Sequence, residues 1–141
     1  MGKRTTARKL AMQALYQFQI QKGHADEIIA DTLGENQYIP DTHDFAAAIF
    51  SGVIAHDDFI NDLIINYSID WKIDRIAHID RAILRVAIWE LLFTDSSVKV
   101  IISEAIELIT KYSVYEAIKF VNGILGGIAK HRDNLQQEVA T

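Results

Sequence analysis

The segment at residues 75–93, RIAHIDRAILRVAIWELLF, constrains the fold most, because apolar side chains surround almost the whole of its helical circumference. A helix of this kind must be covered from several sides, so we expect it at the centre of the protein. The chain contains a single proline and no sustained two-residue alternation of apolar and polar residues, so strands are not expected. The sequence therefore predicts an all-α fold of about seven helices.

Local signals place the helices of the first half of the chain. Thr5 or Thr6 is expected to cap the first helix, because a hydroxyl oxygen can accept a hydrogen bond from the first free N–H groups. A short helix over 25–33 is expected to end at the glycine that follows it. A longer helical stretch is predicted to break at residues 55–58, and residues 68–74 are predicted to form a hinge.

Similar signals continue through the second half. The DSSV segment at 95–98 is expected to start one helix, and Ser113 with Glu116 forms a capping box expected to start the last. That last helix contains glycines, each of which costs up to about 1 kcal/mol relative to alanine. We expect the side of the helix that carries Gly123 and Gly127 to allow close approach of another helix backbone.

Length and composition predict one domain. The 141 residues suffice for a single compact domain over 1–141, with residues 1–6 as a flexible basic tail and 133–141 as a flexible end. The absence of cysteine excludes disulfides, thiolate metal sites and cysteine nucleophiles, and it fits the reducing cytoplasm. No apolar run reaches the roughly 18 residues of a membrane span, so a cytoplasmic protein without membrane contact is expected.

Charge is distributed unevenly along the chain. The first 25 residues contain five Lys or Arg and no acid, whereas residues 26–71 contain ten acids and no Lys or Arg. Such an asymmetry favours two different partner surfaces. A solvated basic tail beside a solvated acidic face explains the charge equally well, and both interpretations stay open on charge alone.

The first helix combines the side chains that single-stranded nucleic acid requires. Lys9, Met12 and Tyr16 share one helical face, with Arg8 at its border, and this face is expected to point away from the core. Cations can contact phosphates while a neighbouring aromatic ring stacks on a base. A patch of this size would bind weakly by itself, so a second protein is expected to contribute.

Catalytic chemistry has no support in the sequence. The five histidines are scattered, and the acids show no carboxylate–histidine metal motif. The glycines at 123–127 lie inside a helical pattern and do not follow a strand, so they do not form a phosphate-binding loop. We therefore expect no enzyme activity, no metal and no cofactor.

Four segments carry a resemblance that extends over essentially the whole chain. ARKLAMQALYQFQ, DRAILRVAIWEL, VIISEAIELITKYS and KFVNGIL resemble the bacterial transcription antitermination factor family NusB, in order and in spacing. The resemblance implies two small three-helix bundles packed across each other, and binding to the boxA element of nascent RNA. It also implies a partner, the small-subunit ribosomal protein that acts as Nus factor E. That pair joins a complex on RNA polymerase which suppresses premature termination, notably on ribosomal RNA operons.

The resemblance also implies functional residues. The residues that it places on the RNA-binding face are Lys3, Arg4, Arg8, Lys9, Tyr16, Asp80, Lys119 and Phe120. It places Glu116 beside the partner contact, and charge complementarity makes the acidic segment 26–71 a candidate surface for a basic ribosomal protein. Two alternatives stay open: Asp80 could pair with Arg81 or Arg85, and the spacing of Phe120 favours the core.

Two other functions are considered. The chain could be the RNA-binding module of an RNA-modifying system, which is disfavoured because the chain ends at Thr141 without a catalytic part. It could also be a protein-only helical interaction module or a homodimer, with the basic helix facing an acidic protein. Salt-sensitive binding to RNA, but not to an unrelated acidic protein, separates antitermination from the protein-only alternative.

Overall fold

The computed structural model describes residues 2–68 and 75–141, and within these ranges the chain is all-helical, as predicted. Residues 69–74, which make up most of the predicted hinge, lie outside the described residues. Of the described helices, none combines the length and apolar character needed to cross a membrane. The described helices are α1 (Lys3–Gln21), α2 (Ala25–Leu33), α3 (Pro40–Ala55), α4 (Asp57–Tyr67), α5 (His78–Phe93), α6 (Val98–Tyr112), α7 (Glu116–Lys130) and α8 (Arg132–Ala140).

The helices form two groups joined through α5. In the first group, α1, α2 and α3 pack against one another. In the second group, α6 and α7 pack on each other and on α5, and α4 packs against α5 and α7. Because α5 also packs against α1 and α3, it connects the two groups. Helix α1 is therefore packed against helices from both halves of the chain.

Helix α5 is the central helix that the sequence predicts. Ile83, Leu84, Ile88 and Leu91 are fully buried, and they belong to a hydrophobic cluster that also contains residues of every other described helix. Burying a side chain of this size contributes about 1.5–3 kcal/mol relative to leaving it exposed. The continuous apolar surface of α5 thus accounts for its position.

Two helix starts differ from the prediction. Helix α1 begins at Lys3, before Thr5 and Thr6, and the hydroxyl of Thr5 donates a hydrogen bond to Glu104. Helix α7 begins at Glu116, and the hydroxyl of Ser113 donates to Asp80. Hydroxyl groups that local sequence assigns to caps are therefore used in contacts between distant parts of the chain.

The expected role of the glycines in α7 is wrong in its details. A Cβ atom at Gly123 would have no neighbour within 4 Å, so no helix approaches there among the described residues. At Gly127 an added Cβ would lie 2.9 Å from Cδ2 of Tyr67, so the neighbour is a side chain and not a helix backbone. Close packing instead requires glycine in α3, where a Cβ at Gly52 would lie 1.9 Å from Nε1 of Trp89.

The segment expected to be a flexible end forms α8, which packs against α5. Arg132 donates hydrogen bonds to the carbonyl oxygens of Leu91 (2.8 Å) and Thr94 (2.7 Å). Gln136 donates to the same two oxygens, and Leu135 is buried. The last carbonyls of a helix lack partners inside the helix, so α8 satisfies polar groups that α5 leaves free.

Candidate nucleic-acid interface

The candidate interface is organised around Arg8, whose guanidinium is buried between two carboxylates. Its Nε and Nη2 donate to the two oxygens of Glu90 at 2.6 and 2.7 Å, and its Nη1 donates to Glu104 at 2.8 Å. Arg8 is 4% exposed and Glu90 is 1% exposed. Burial by itself lowers the pKa of Arg8, but the hydrogen bonds and charges of Glu90 and Glu104 outweigh it and raise that pKa.

This ion cluster joins three helices. Arg8 lies on α1, Glu90 on α5 and Glu104 on α6, and Thr5 donates a further hydrogen bond to Glu104. Two parallel hydrogen bonds between an arginine and one carboxylate restrict orientation as well as distance. The cluster therefore fixes the position of the basic end of α1 on the second group of helices.

The two basic residues before Arg8 remain at the surface. The ammonium of Lys3 lies 3.3 Å from a carboxylate oxygen of Asp41, and both side chains are largely exposed. The guanidinium carbon of Arg4 lies 4.1 Å above the ring centroid of Phe45. Stacking on an aromatic ring orients a guanidinium while leaving its edge open to solvent. These two cations are therefore presented at the protein surface.

Lys9 and Tyr16 border two adjacent clefts on α1. Lys9 lines a cleft of about 260 Å³ between α1 and α6. Tyr16 is 40% exposed and lines a mainly apolar groove of about 390 Å³ together with Ile20 and Ile79. Tyr112 lines both clefts, so they form one continuous surface. Its α6 end carries Lys9 and Lys111 together with Glu104 and Glu107, and its other end carries aromatic and apolar side chains.

Met12 does not belong to an outward face. The spacing of Lys9, Met12 and Tyr16 predicts a shared surface pointing away from the core, but Met12 is 0% exposed. Helix α1 is covered by α3 on one side and by α5 on another, so its polar face is narrower than the residue spacing indicates. Met12 forms the floor of the groove that Tyr16 borders.

Asp80 lies inside the protein. It is 5% exposed and accepts a hydrogen bond from Ser113 in the segment between α6 and α7. Burial raises the pKa of Asp80, and the hydrogen bond from Ser113 opposes this rise. Its hydrogen bond thus goes to a serine rather than to Arg81 or Arg85, which were the partners considered from the sequence. A direct contact between Asp80 and RNA remains a prediction.

Helix α7 carries the remaining candidate residues. Glu116 is the first residue of the helix and is exposed, and Lys119 is exposed one turn later. Phe120 is partly buried and packs against the main hydrophobic cluster, so its ring has both a core side and a solvent side. Helix α7 and helix α1 both pack on α5, which lies between these three residues and the first helix.

Sequence reasoning missed Glu90, Glu104 and Tyr112. A carboxylate in the predicted central helix is a usable signal, because a buried carboxylate requires a cationic partner or another hydrogen-bond donor. The position of Glu90 in α5 therefore indicates a buried ion pair, although it does not reveal which of the chain's cations is the partner. For Tyr112 the sequence gives no comparable signal.

The fold and this surface define the class: an all-helical protein with a cationic and aromatic groove of the type that suits nucleic acid. Comparison with known proteins identifies the family. Residues 5–130 match the model of the NusB family. The transcription antitermination protein NusB of Bacillus subtilis (strain 168) is 40% identical over 127 residues, covering 89% of this chain and 94% of that protein. The chain belongs to the NusB family.

Solved structures of NusB proteins have the same fold as this chain. NusB of T. maritima superposes with a TM-score of 0.85 and 32% sequence identity, covering 92% of each chain. A crystal structure of the antitermination factors NusB and NusE in complex with dsRNA contains a chain that superposes with a TM-score of 0.83. That chain is 27% identical, and the match covers 92% of this chain and 98% of that one.

Proposed function

We propose that this protein is a non-catalytic transcription antitermination factor of the cytoplasm. It binds a boxA-like element of nascent RNA together with the small-subunit ribosomal protein that acts as Nus factor E, and the pair acts on RNA polymerase. The named relatives are antitermination proteins, and one similar chain occurs in a structure with NusE and RNA. The matches cover nearly the whole of this chain and of those relatives.

The continuous surface that joins Lys9, Tyr112 and Tyr16 is the observation that carries this proposal. A single strand presents phosphates along one side and unpaired bases along the other. Lys9 and the two exposed cations near the start of α1 suit the phosphates, and Tyr16 offers a ring face to a base. One stacked base contributes about 1–3 kcal/mol, so several such contacts are needed for tight binding.

The predicted site residues divide into two roles in this proposal. The residues that contact RNA directly are Lys3, Arg4, Lys9, Tyr16, Lys119 and Phe120. Arg8 and Asp80 act through the protein instead, because both are buried and hydrogen-bonded to protein groups. Arg8 sets the position of α1, and Asp80 holds the segment that precedes α7.

The ribosomal partner is proposed to bind beside the start of α7. Glu116 is exposed there, and it follows Val114 and Tyr115, which are 61% and 84% exposed. An acidic side chain next to an exposed aromatic residue suits a basic protein, because aromatic residues are common at the centres of interfaces and charges at their rims. The acidic segment 26–71 contributes a long-range attraction to the same partner.

The test is fluorescence anisotropy with a labelled boxA-like RNA and a scrambled RNA, with and without the ribosomal partner, over a series of salt concentrations. We expect selective binding that the partner strengthens. Lys9→Gln is expected to reduce the slope of log K against log salt by about 0.7, since one phosphate contact is lost. Lys130→Gln removes an exposed cation at the end of α7, which lines none of the clefts described above, and serves as the matched control.

Two outcomes would contradict the proposal. If both RNAs bind weakly and equally in the presence of the partner, the protein has the family fold but does not recognise boxA. Salt-sensitive binding to an unrelated acidic protein with the same affinity would favour the protein-only interaction module or a homodimer.

A further inference from the structure

A third cleft lies on a different face of α1 from Tyr16, and the proposed RNA surface does not use it. Its volume is about 470 Å³, and its walls come from α1, the junction of α3 and α4, and α5. The polar side chains that line it are Gln19, Lys22, Asp57, His78, Arg81 and Arg85.

Several hydrogen-bonding groups in this cleft lack partners. Arg85 is 6% exposed; one of its Nη atoms donates to Asn61 at 2.7 Å and lies 3.3 Å from a carboxylate oxygen of Asp57. Among the described residues, nothing accepts a hydrogen bond from its buried Nε, and the same holds for the buried Nε of Arg81. The amide group of Gln19 is buried and unpartnered at both its nitrogen and its oxygen.

Unpaired buried donors are rare in folded proteins because each has lost its hydrogen bond to water without a replacement. Here three residues on two helices, Gln19, Arg81 and Arg85, leave such groups at one cleft. This convergence points to an acceptor that completes the site when bound.

The charges at the cleft indicate an anionic acceptor. Burial lowers the pKa of Arg85, Asp57 opposes this change, and the nearby charge of Arg81 lowers that pKa further. Among the described lining residues, Asp57 is the single acid against Lys22 and two arginines. Two guanidinium groups close enough to repel each other are stabilised when an anion binds between them.

We propose that this cleft binds a phosphate group between the guanidinium groups of Arg81 and Arg85, with the amide of Gln19 donating an additional hydrogen bond. A phosphate offers several acceptor oxygens, and the arginine fork matches two of them at once. Both an RNA backbone phosphate and a free phosphate or phosphorylated small molecule carry this group. The cleft lies outside the proposed boxA surface and shares no lining residue with the two clefts that form it.

The first experiment is thermal unfolding of the full chain with inorganic phosphate added at constant ionic strength against chloride. We expect phosphate to raise Tm by roughly 4 °C at about ten times its dissociation constant, because it binds the folded state only. Arg81→Gln is expected to abolish this rise. Lys99→Gln, which removes an exposed cation that does not line the cleft, is expected to retain it.

A second variant separates binding from folding. Gln19→Leu removes the unpaired amide, so it is expected to preserve or raise Tm without phosphate while reducing the rise with phosphate by more than half. No difference between phosphate and chloride, or an equal phosphate effect in wild type and Arg81→Gln, would overturn the proposal.

The source of the phosphate follows from a competition measured by ³¹P line broadening of inorganic phosphate. If the RNA backbone supplies the group, an unlabelled boxA-like RNA displaces phosphate and Arg81→Gln weakens RNA binding. If a free phosphate is the ligand, phosphate and RNA bind together and Arg81→Gln leaves RNA affinity unchanged. Either result is consistent with the phosphate site. If the wild-type protein binds phosphate but does not bind boxA-like RNA, the proposed function is wrong and the phosphate site stands.

Discussion

Arg8 and Glu90, 82 positions apart in the chain, form a buried pair in which two guanidinium nitrogens meet both oxygens of one carboxylate. The pair fixes α1 on the central helix α5, next to the groove that Tyr16 borders. A basic residue at the start of an amphipathic helix thus has a structural role, while its neighbours Lys9 and Arg4 remain available at the surface.

We expect Arg8→Ala to reduce the free energy of unfolding by about 3–5 kcal/mol, because Glu90 would be left buried and unpaired. Urea denaturation measures the change. Replacing both partners with apolar residues, in Arg8→Met with Glu90→Leu, is expected to recover most of the stability. If Arg8→Ala keeps full stability and loses RNA binding, the guanidinium contacts RNA directly and the positioning role is wrong.

Tyr16 is expected to affect binding and not folding. Because Tyr16 is 40% exposed, Tyr16→Ala should change the unfolding midpoint less than it changes RNA binding, which should weaken by about 1–3 kcal/mol, the contribution of one stacked base. Tyr16→Phe keeps the ring and should retain affinity in the anisotropy assay. Tyr115→Ala removes a more exposed tyrosine and should leave binding of RNA alone unchanged; an equal loss in both variants would contradict stacking at Tyr16.

Asp80 is expected to give the protein a specific pH dependence. Burial raises the pKa of Asp80 above its ordinary value of 3.8, so the folded state holds the proton more tightly than the unfolded state. Its contribution to stability is therefore greatest below pH 3.8 and decreases as pH rises through the pKa of the folded protein. Asp80→Asn can still accept from Ser113 but does not titrate.

Urea denaturation of wild type and Asp80→Asn across this pH range measures the effect. The stability of the variant relative to wild type should increase as pH rises above 3.8. Asp95→Asn, in the exposed loop before α6, should show the same dependence of unfolding free energy on pH as wild type. A constant difference between Asp80→Asn and wild type at every pH would show that Asp80 has the same pKa in both states.

Two glycine substitutions are expected to have opposite effects on stability. Gly52→Ala should reduce the free energy of unfolding by about 1–3 kcal/mol, since its Cβ would lie 1.9 Å from Nε1 of Trp89. Gly123→Ala should increase it by about 0.5–1 kcal/mol, since the site is an open helix surface where alanine is the better helix former. Thermal unfolding compares both with wild type, and a destabilised Gly123→Ala would show that the surrounding space is occupied.

The sequence by itself determined the helical class and the central position of α5. Both follow from local patterns: the nearly continuous apolar surface of 75–93, the glycine after 25–33, and the polar residues near 55–58 each act within a few positions along the chain. Ser97 caps α6 for the same reason, because its oxygen accepts a hydrogen bond from the N–H of Val100 only three residues away.

The tertiary structure decided which polar side chains are at the surface. Other helices bury Met12 and Arg8. Ser113 pairs with Asp80, and Arg132 packs on the end of α5, so these contacts also connect residues far apart in sequence. Helical periodicity assigns a side chain to a face, but it does not reveal which faces other helices cover. A buried charge is stable only with a matching partner, and that partner is defined by how the helices pack.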